Sequence, residues 1–118
     1  MENDWSRETA VGIFSAALQA VDPSRLVQDY CDSIAAAYSK AHCNKLHLVS
    51  FGKAAFAMTK ALAESHICDI INQGIVITKY GHTQGTLLHN IEIFEAGHPV
   101  PDEKGVAATK QVINLLKN

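Results

Sequence analysis

The stretch LHLVSFGKAA, residues 46–55, decides the fold. Its apolar run ends at Gly52, and an alanine-rich segment continues from Lys53 to about Ser65. A short apolar run bounded by a turn residue is typical of a buried strand, and alanine is the strongest helix former. The stretch therefore predicts a strand, a glycine turn and a crossover helix that the lysine opens.

The flanking sequence predicts two more strands and three more helices. Gly74–Thr78 is a second continuous apolar run, whereas Asn90–Ala96 alternates apolar and polar residues, which indicates a half-exposed edge strand. Pro101–Leu116 predicts the last helix. Upstream, two apolar stripes at helical spacing predict two helices, the second capped by Asp22 and opened by Pro23. The stripes are Ala10, Phe14, Ala17 and Val21, and Val27, Tyr30, Ile34 and Tyr38.

This element order predicts an α/β fold with a Rossmann-like, mostly parallel sheet and flanking helices, preceded by two helices. We assign residues 1–44 to the helical preface and residues 45–118 to a βαββα unit. Continuous apolar strands suit a sheet that is covered on both faces. Three strands leave at least one apolar edge without a partner, so we expect the domain to be incomplete.

Composition narrows the function classes. The chain has 118 residues, of which 47% are hydrophobic and 19% charged, as expected for one globular domain. A net charge of −2 with scattered lysines gives no reason to expect nucleic acid or a membrane surface as a partner. Cys31, Cys43 and Cys68 are odd in number and lack zinc-ligand spacing, which predicts reduced thiols, no metal site and a cytoplasmic protein.

A glycine and a cationic or imidazole side chain follow each predicted strand. The ligand crevice of an open α/β sheet lies beyond the carboxyl ends of its strands, and a helix start there offers N–H groups to an anion. The pattern predicts a phosphate or carboxylate site. Its candidate catalytic residue is Lys53, and its candidate substrate-binding or phosphate-binding residues are Gly52, Ala54, Gly81, His82, Gly97 and His98.

These residues also have ordinary structural interpretations. A lysine in the first turn of a helix opposes the macrodipole by roughly 0.3–1 kcal/mol, which suggests a function, but Lys53 could equally be a solvated loop residue. His82 and His98 could serve turn packing alone. Asp102 and Glu103 stand where acidic residues cap a helix, and capping explains them without a function.

Taken together, the segments resemble the N-terminal part of the glycerate 2-kinase family, whose members are often also labelled hydroxypyruvate reductase. The resemblance is carried by GKAA at 52–55, by IVITKYGH at 75–82, by Glu95–Glu103 and by the helix start at Asp22. It covers essentially the whole chain. Ser50 stands where the family often has glycine.

The resemblance implies transfer of the γ-phosphoryl group of ATP, with Mg²⁺, to the 2-hydroxyl of D-glycerate. Lys53 matches a lysine regarded in the family as catalytic or ligand-positioning. The family's glycine-rich phosphate-binding segment, second domain and functional arginine lie downstream of the matching region. The resemblance therefore implies an N-terminal fragment that has little or no activity when isolated.

Two other functions stay open at this point. One is a nicotinamide-dependent hydroxypyruvate reductase, although no G-x-G-x-x-G motif follows a predicted strand. The other is a non-catalytic module that holds an anion at Gly52–Ala55 and forms a homo-oligomer through the unpaired sheet edge.

Overall fold

The structure, a computed structural model, describes residues 4–85 and 90–117. Its helices are α1 (Asp4–Ala20), α2 (Pro23–Gln28), α3 (Cys31–Lys40), α4 (Ala55–Ala63) and α5 (Glu103–Leu115). Its strands are β1 (His47–Phe51), β2 (Gln73–Lys79) and β3 (Ile91–Ala96), and a 3₁₀ turn at Cys68–Ile70 precedes β2.

The three strands form one parallel sheet in the order β1-β2-β3, which confirms the α/β class and places β3 at an edge as predicted. The last pair between β1 and β2 joins Phe51 to Ile77, whereas the last pair between β3 and β2 joins Ala96 to Lys79. The sheet is therefore stepped, because β1 stops two residues short along β2. All three carboxyl ends lie at this stepped edge.

Helices cover opposite faces of the sheet. Val76 in the central strand is fully buried and packs with Ala55 at the start of α4. The next side chain, Ile77, lines a cavity with Val106 of α5. Successive strand residues point to opposite faces, so α4 and α5 lie on different sides of the sheet.

A second cluster joins the preface to the sheet. Cys31 of α3 packs with Leu62 of α4 and with Ile67 and Ile71 from the segment that leads into β2. All four are at most 6% exposed, so this cluster is a second apolar core on the α4 side. The preface is thus attached to the sheet through α4.

The second predicted helix is divided into α2 and α3. Its start is as predicted, because the Asp22 carboxylate accepts the Arg25 N–H at 2.9 Å. Just after the end of α2, the Tyr30 N–H donates to the Val27 carbonyl, three residues back. This tighter turn rotates the chain before α3 begins. Cys31, 2% exposed, then faces the core and Tyr30, 64% exposed, faces outward. The prediction that Tyr30 shares one apolar stripe with Val27 and Ile34 was wrong, because core packing overrides the local pattern.

The apolar stripe of α1 does not face the core. Phe14 is 65% exposed and Val21 is 64% exposed, and Val11, Ile13 and Leu18 are exposed as well. Within the described residues, no helix is both long enough and apolar enough to cross a membrane.

Candidate functional site

Lys53 lies in a turn that precedes α4. Gly52 adopts φ +106°, a left-handed conformation that favours glycine, and its carbonyl accepts the Ala55 N–H at 3.2 Å. Lys53 and Ala54 are the middle residues of this turn, and Ala54 is the N-cap residue of α4. The expectation that Lys53 occupies the first helical turn was wrong by two residues, because the glycine turn comes first. Lys53 is exposed and directly precedes the N-cap residue of α4.

Both backbone polar groups of Gly52 form hydrogen bonds to the central strand, β2. The Gly52 N–H donates to the Ile77 carbonyl at 3.0 Å, and the Thr78 hydroxyl donates to the Gly52 carbonyl at 3.2 Å. Thr78 is 2% exposed, so this hydroxyl has little access to water. The exits of β1 and β2 are consequently held together.

The loop after β2 carries Gly81 and His82. Gly81 has φ +73°, and its N–H donates to the Glu95 carboxylate at 3.1 Å. The same carboxylate oxygen accepts the Thr83 hydroxyl at 2.8 Å. His82 is half-buried, and its N–H donates to the Lys79 carbonyl at 3.1 Å. This loop is therefore fixed to the end of β3.

A tight turn between β3 and α5 carries Gly97 and His98, and the His98–Pro99 peptide bond is cis. A Cβ atom on Gly97 would lie 2.5 Å from the Val100 carbonyl oxygen, so the turn closes only around a glycine. Asp102 caps α5 as predicted, accepting the Gly105 N–H at 3.0 Å.

The Asp102 carboxylate also accepts the Tyr80 hydroxyl at 2.6 Å. This hydrogen bond lowers the pKa of Asp102, and the backbone N–H groups of Gly105 and Gly97 lower it further. The same bond raises the pKa of Tyr80, because the phenolate would face a carboxylate. No sequence pattern indicated this contact, since helix capping already accounts for Asp102.

A cavity of about 220 Å³ lies at the stepped edge, and it brings together residues from all three strand exits. Gly52, Gly97 and His98 line it, whereas Lys53, Ala54, Gly81 and His82 are not among its lining residues. Lys79 also lines it and was missed by the sequence analysis. The predicted strand ended at Thr78, while β2 continues through Lys79. A strand-end lysine next to a Gly-His loop is the signal that could have identified it.

The chemistry of this cavity suits a small anion. Lys79, a cationic residue, is among the lining residues, and the neighbouring glycines let a ligand approach the backbone closely. Among residues 4–85 and 90–117, no three His, Cys, Asp or Glu side chains are grouped so that they could hold a metal ion.

A larger cavity of about 650 Å³ lies between β1 and α5. Its lining is mostly apolar and includes Val49, Phe51, Val106 and Ile113. Phe51 is 77% exposed, so the expectation that both faces of the sheet are covered was wrong at β1. The reason is that α5 packs over β3 and β2 and leaves this face of β1 open.

Comparison with known proteins gives consistent matches. Residues 9–118 match the family described as "Domain of unknown function (DUF4147)". A D-glycerate 2-kinase of Thermotoga maritima is 37% identical over 110 residues, covering 93% of this chain and 24% of that protein. A protein of Agrobacterium vitis that carries a hydroxypyruvate reductase name is 35% identical over 116 residues, covering 98% of this chain and 24% of that protein.

The crystal structure of a glycerate kinase from Thermotoga maritima is similar in fold, with a TM-score of 0.77 and 36% identity. The match covers 96% of this chain and 25% of that chain. This chain therefore spans about a quarter of the length of the relatives that it matches.

Proposed function

The chain belongs to the DUF4147 family, and on that premise we propose that it is the N-terminal portion of a glycerate 2-kinase. The reaction would transfer the γ-phosphoryl group of ATP to the 2-hydroxyl of D-glycerate. The relatives named as glycerate 2-kinases support this proposal. Since the chain spans about a quarter of their length, the complete active site would include residues outside these 118.

One structural observation carries the proposal: glycines and a lysine from three parallel strand exits surround a single cavity. Its volume of about 220 Å³ lies below the roughly 300–1,000 Å³ of pockets for drug-sized ligands. A three-carbon acid or a single phosphate group suits this space, whereas a whole nucleotide does not. We therefore assign the cavity to D-glycerate or to the phosphoryl group being transferred.

Two lysines have roles in this proposal. Lys79 would neutralise the ligand's charge inside the cavity. Lys53, exposed in the turn next to Gly52, would reach toward the same anion from the β1 side. Phosphoryl transfer chiefly requires positioning and charge stabilisation, which such cations provide. No Mg²⁺ ligand is assigned to the described residues, so the metal would accompany ATP, and no step here depends on it.

The test is a titration of the ¹⁵N-labelled chain with D-glycerate and with inorganic phosphate, followed by NMR. We expect shifts at the Gly52 and Gly97 amides, and weaker binding in Lys53→Ala and Lys79→Ala. Lys40→Ala is the matched control, because Lys40 lies at the end of α3. If neither ligand shifts any amide near the strand exits, the assignment of the cavity is wrong.

We also propose that the protein acts in the cytoplasm.

A hydroxypyruvate reductase is the alternative that the name of the Agrobacterium vitis relative favours. The turn after β1 contains one glycine and leads through Lys53 into α4, unlike a G-x-G-x-x-G dinucleotide loop. Oxidation of NADH or NADPH by hydroxypyruvate in the presence of the purified chain would support this alternative over the kinase.

A homo-oligomer is favoured by the outer edge of β1, which pairs with no strand in the part of the chain that the structure describes. The strand sequence HLVSF contains no lysine, acidic residue or proline that would block pairing, and the apolar cavity lies beside it. The occupant would be β1 of a second copy. Light scattering should then give a dimer that Val49→Lys converts to a monomer, and a monomeric parent chain would exclude this assembly.

A further inference from the structure

Asp102 lies where three segments of the site meet. Its carboxylate accepts the Tyr80 hydroxyl from the loop after β2 at 2.6 Å and the Gly105 N–H of α5 at 3.0 Å. It also lies against the turn after β3, since a Cβ on Gly97 would be 3.2 Å from its Oδ2 atom. One carboxylate therefore contacts both loops that flank the cavity.

Helix capping does not require the contact with Tyr80. The Gly105 N–H alone completes the cap, and Tyr80 lies 22 residues away in sequence. An O–H···O⁻ distance of 2.6 Å falls in the range of strong, charge-assisted hydrogen bonds. The Lys104 ammonium lies over the Tyr80 ring, 5.2 Å from its centre, and makes a cation–π contact with it.

Two residues that line the cavity lie directly next to the Tyr80–Asp102 contact. Lys79, which lines the cavity, immediately precedes Tyr80, and Gly97, which also lines it, lies against Asp102. The Glu95 carboxylate fixes the same loop one step further on, through the Gly81 N–H and the Thr83 hydroxyl. Two carboxylates thus hold the loop after β2 to the β3 side of the sheet.

We propose that Tyr80 and Asp102 are a positioning pair that sets the separation of Lys79 and Gly97 across the anion cavity. The inference rests on the proposed function, because it assigns the pair to the site that would take D-glycerate or phosphate. Neither residue touches the ligand in this proposal. They act through the backbone of the two loops that they join.

The test uses the 118-residue chain and its Tyr80→Phe variant, which removes the hydroxyl alone. D-glycerate and inorganic phosphate are titrated by NMR over the acid and neutral pH range. We expect Tyr80→Phe to bind roughly threefold to tenfold more weakly at neutral pH, the range of one net hydrogen bond. We also expect the affinity of Tyr80→Phe to start falling at a higher pH on acidification, because the Asp102 pKa rises when the hydroxyl is lost.

Two further variants separate positioning from folding. Tyr30→Phe is the matched control, since Tyr30 is exposed in the preface, and it should change neither affinity nor pH profile. Asp102→Asn keeps a good capping side chain but removes the titrating carboxyl, so any loss of binding in acid that remains should come from protonation of the ligand itself, while α5 stays formed. A pH profile of phosphate binding that is the same in the wild-type and Asp102→Asn chains overturns the proposal.

Failure of the pair and failure of the proposed function give different results. If wild-type chain binds and Tyr80→Phe matches it in affinity and pH profile, the pair has no positioning role. If wild-type chain binds neither ligand, the proposed function fails, and hydrogen exchange at the Gly97 amide decides on the pair alone. Exchange that is equally slow in wild-type and Tyr80→Phe chains then overturns the link between the two loops.

Discussion

The hydroxyl of Thr78 donates to the carbonyl oxygen of Gly52 at 3.2 Å, and this contact exists only because β1 and β2 pair in parallel register. Ser50 pairs with Val76 and Phe51 with Ile77, so the glycine turn that follows β1 meets the next residue of β2. The position of Lys53 therefore depends on a buried side chain 25 residues later. A strand-end threonine thus has a direct consequence for the candidate site.

Thr78→Val should destabilise the chain by about 0.5–1.5 kcal/mol, because it removes a buried donor without changing side-chain shape. Urea unfolding followed by circular dichroism gives the free energy of unfolding. The control is Thr109→Val, whose exposed hydroxyl bonds its own helix at the Gly105 carbonyl and should change stability by less than about 0.5 kcal/mol. Equal effects in the two variants would contradict a special role for the Thr78 bond.

Gly97→Ala should destabilise the chain by roughly 1–3 kcal/mol, because the new methyl group would lie 2.5 Å from the Val100 carbonyl oxygen. The turn would have to open, and binding at the cavity should fall with it. Gly105→Ala is a nearby control, since its Cβ meets Ala96 at an ordinary 3.5 Å. That variant should be neutral or stabilising by up to about 1 kcal/mol. A stable Gly97→Ala chain would show that the turn is less constrained than its geometry indicates.

The Tyr80–Asp102 bond should make stability depend on pH at both extremes. The pKa of Asp102 is lowered in the folded chain, so its contribution is present above its ordinary value of 3.8 and is lost as the pH falls through the lowered value. The pKa of Tyr80 is raised, so its contribution is present below 10.0 and is lost as the pH rises through the raised value. The urea midpoints of wild-type and Tyr80→Phe chains should therefore differ at neutral pH and converge at both extremes. A difference that stays constant with pH would exclude this linkage.

Leu62→Ala should destabilise the chain by about 2–5 kcal/mol, because Leu62 is 6% exposed within the cluster that joins α3 and α4. Thermal unfolding should show the preface and the sheet losing structure together. Leu116→Ala, at a position that is 64% exposed, removes the same atoms and should have little effect. Separate transitions for the preface and the sheet would indicate that this cluster does not couple them.

The sequence was sufficient to predict the sheet. Apolar runs at 46–51 and 74–78 and the alternation at 90–96 correspond to β1, β2 and β3 within two residues. Each signal is local, because a buried or half-buried strand needs a distinctive run of side chains. The glycine that follows each strand was equally visible, and Gly52 and Gly97 do line one cavity.

Features that depend on distant contacts could not be predicted in this way. The start of α4 at Ala55 follows from the left-handed turn at Gly52, which the alanine-rich pattern does not reveal. The division of the second helix depends on Cys31 packing against Leu62, 31 residues later. The Tyr80–Asp102 contact joins two loops whose proximity only the parallel sheet establishes.

The stepped carboxyl edge makes strand length a determinant of cavity size. Lys79 projects two residues past the last pair of β1, a height of about 6–7 Å at roughly 3.3 Å per residue. Lengthening β1 by two residues would bring its last residue level with Ala96 and its glycine turn one residue beyond, which would close the gap, although every lining side chain would be kept. The length of one strand therefore sets the depth of the cavity without any substitution in its lining.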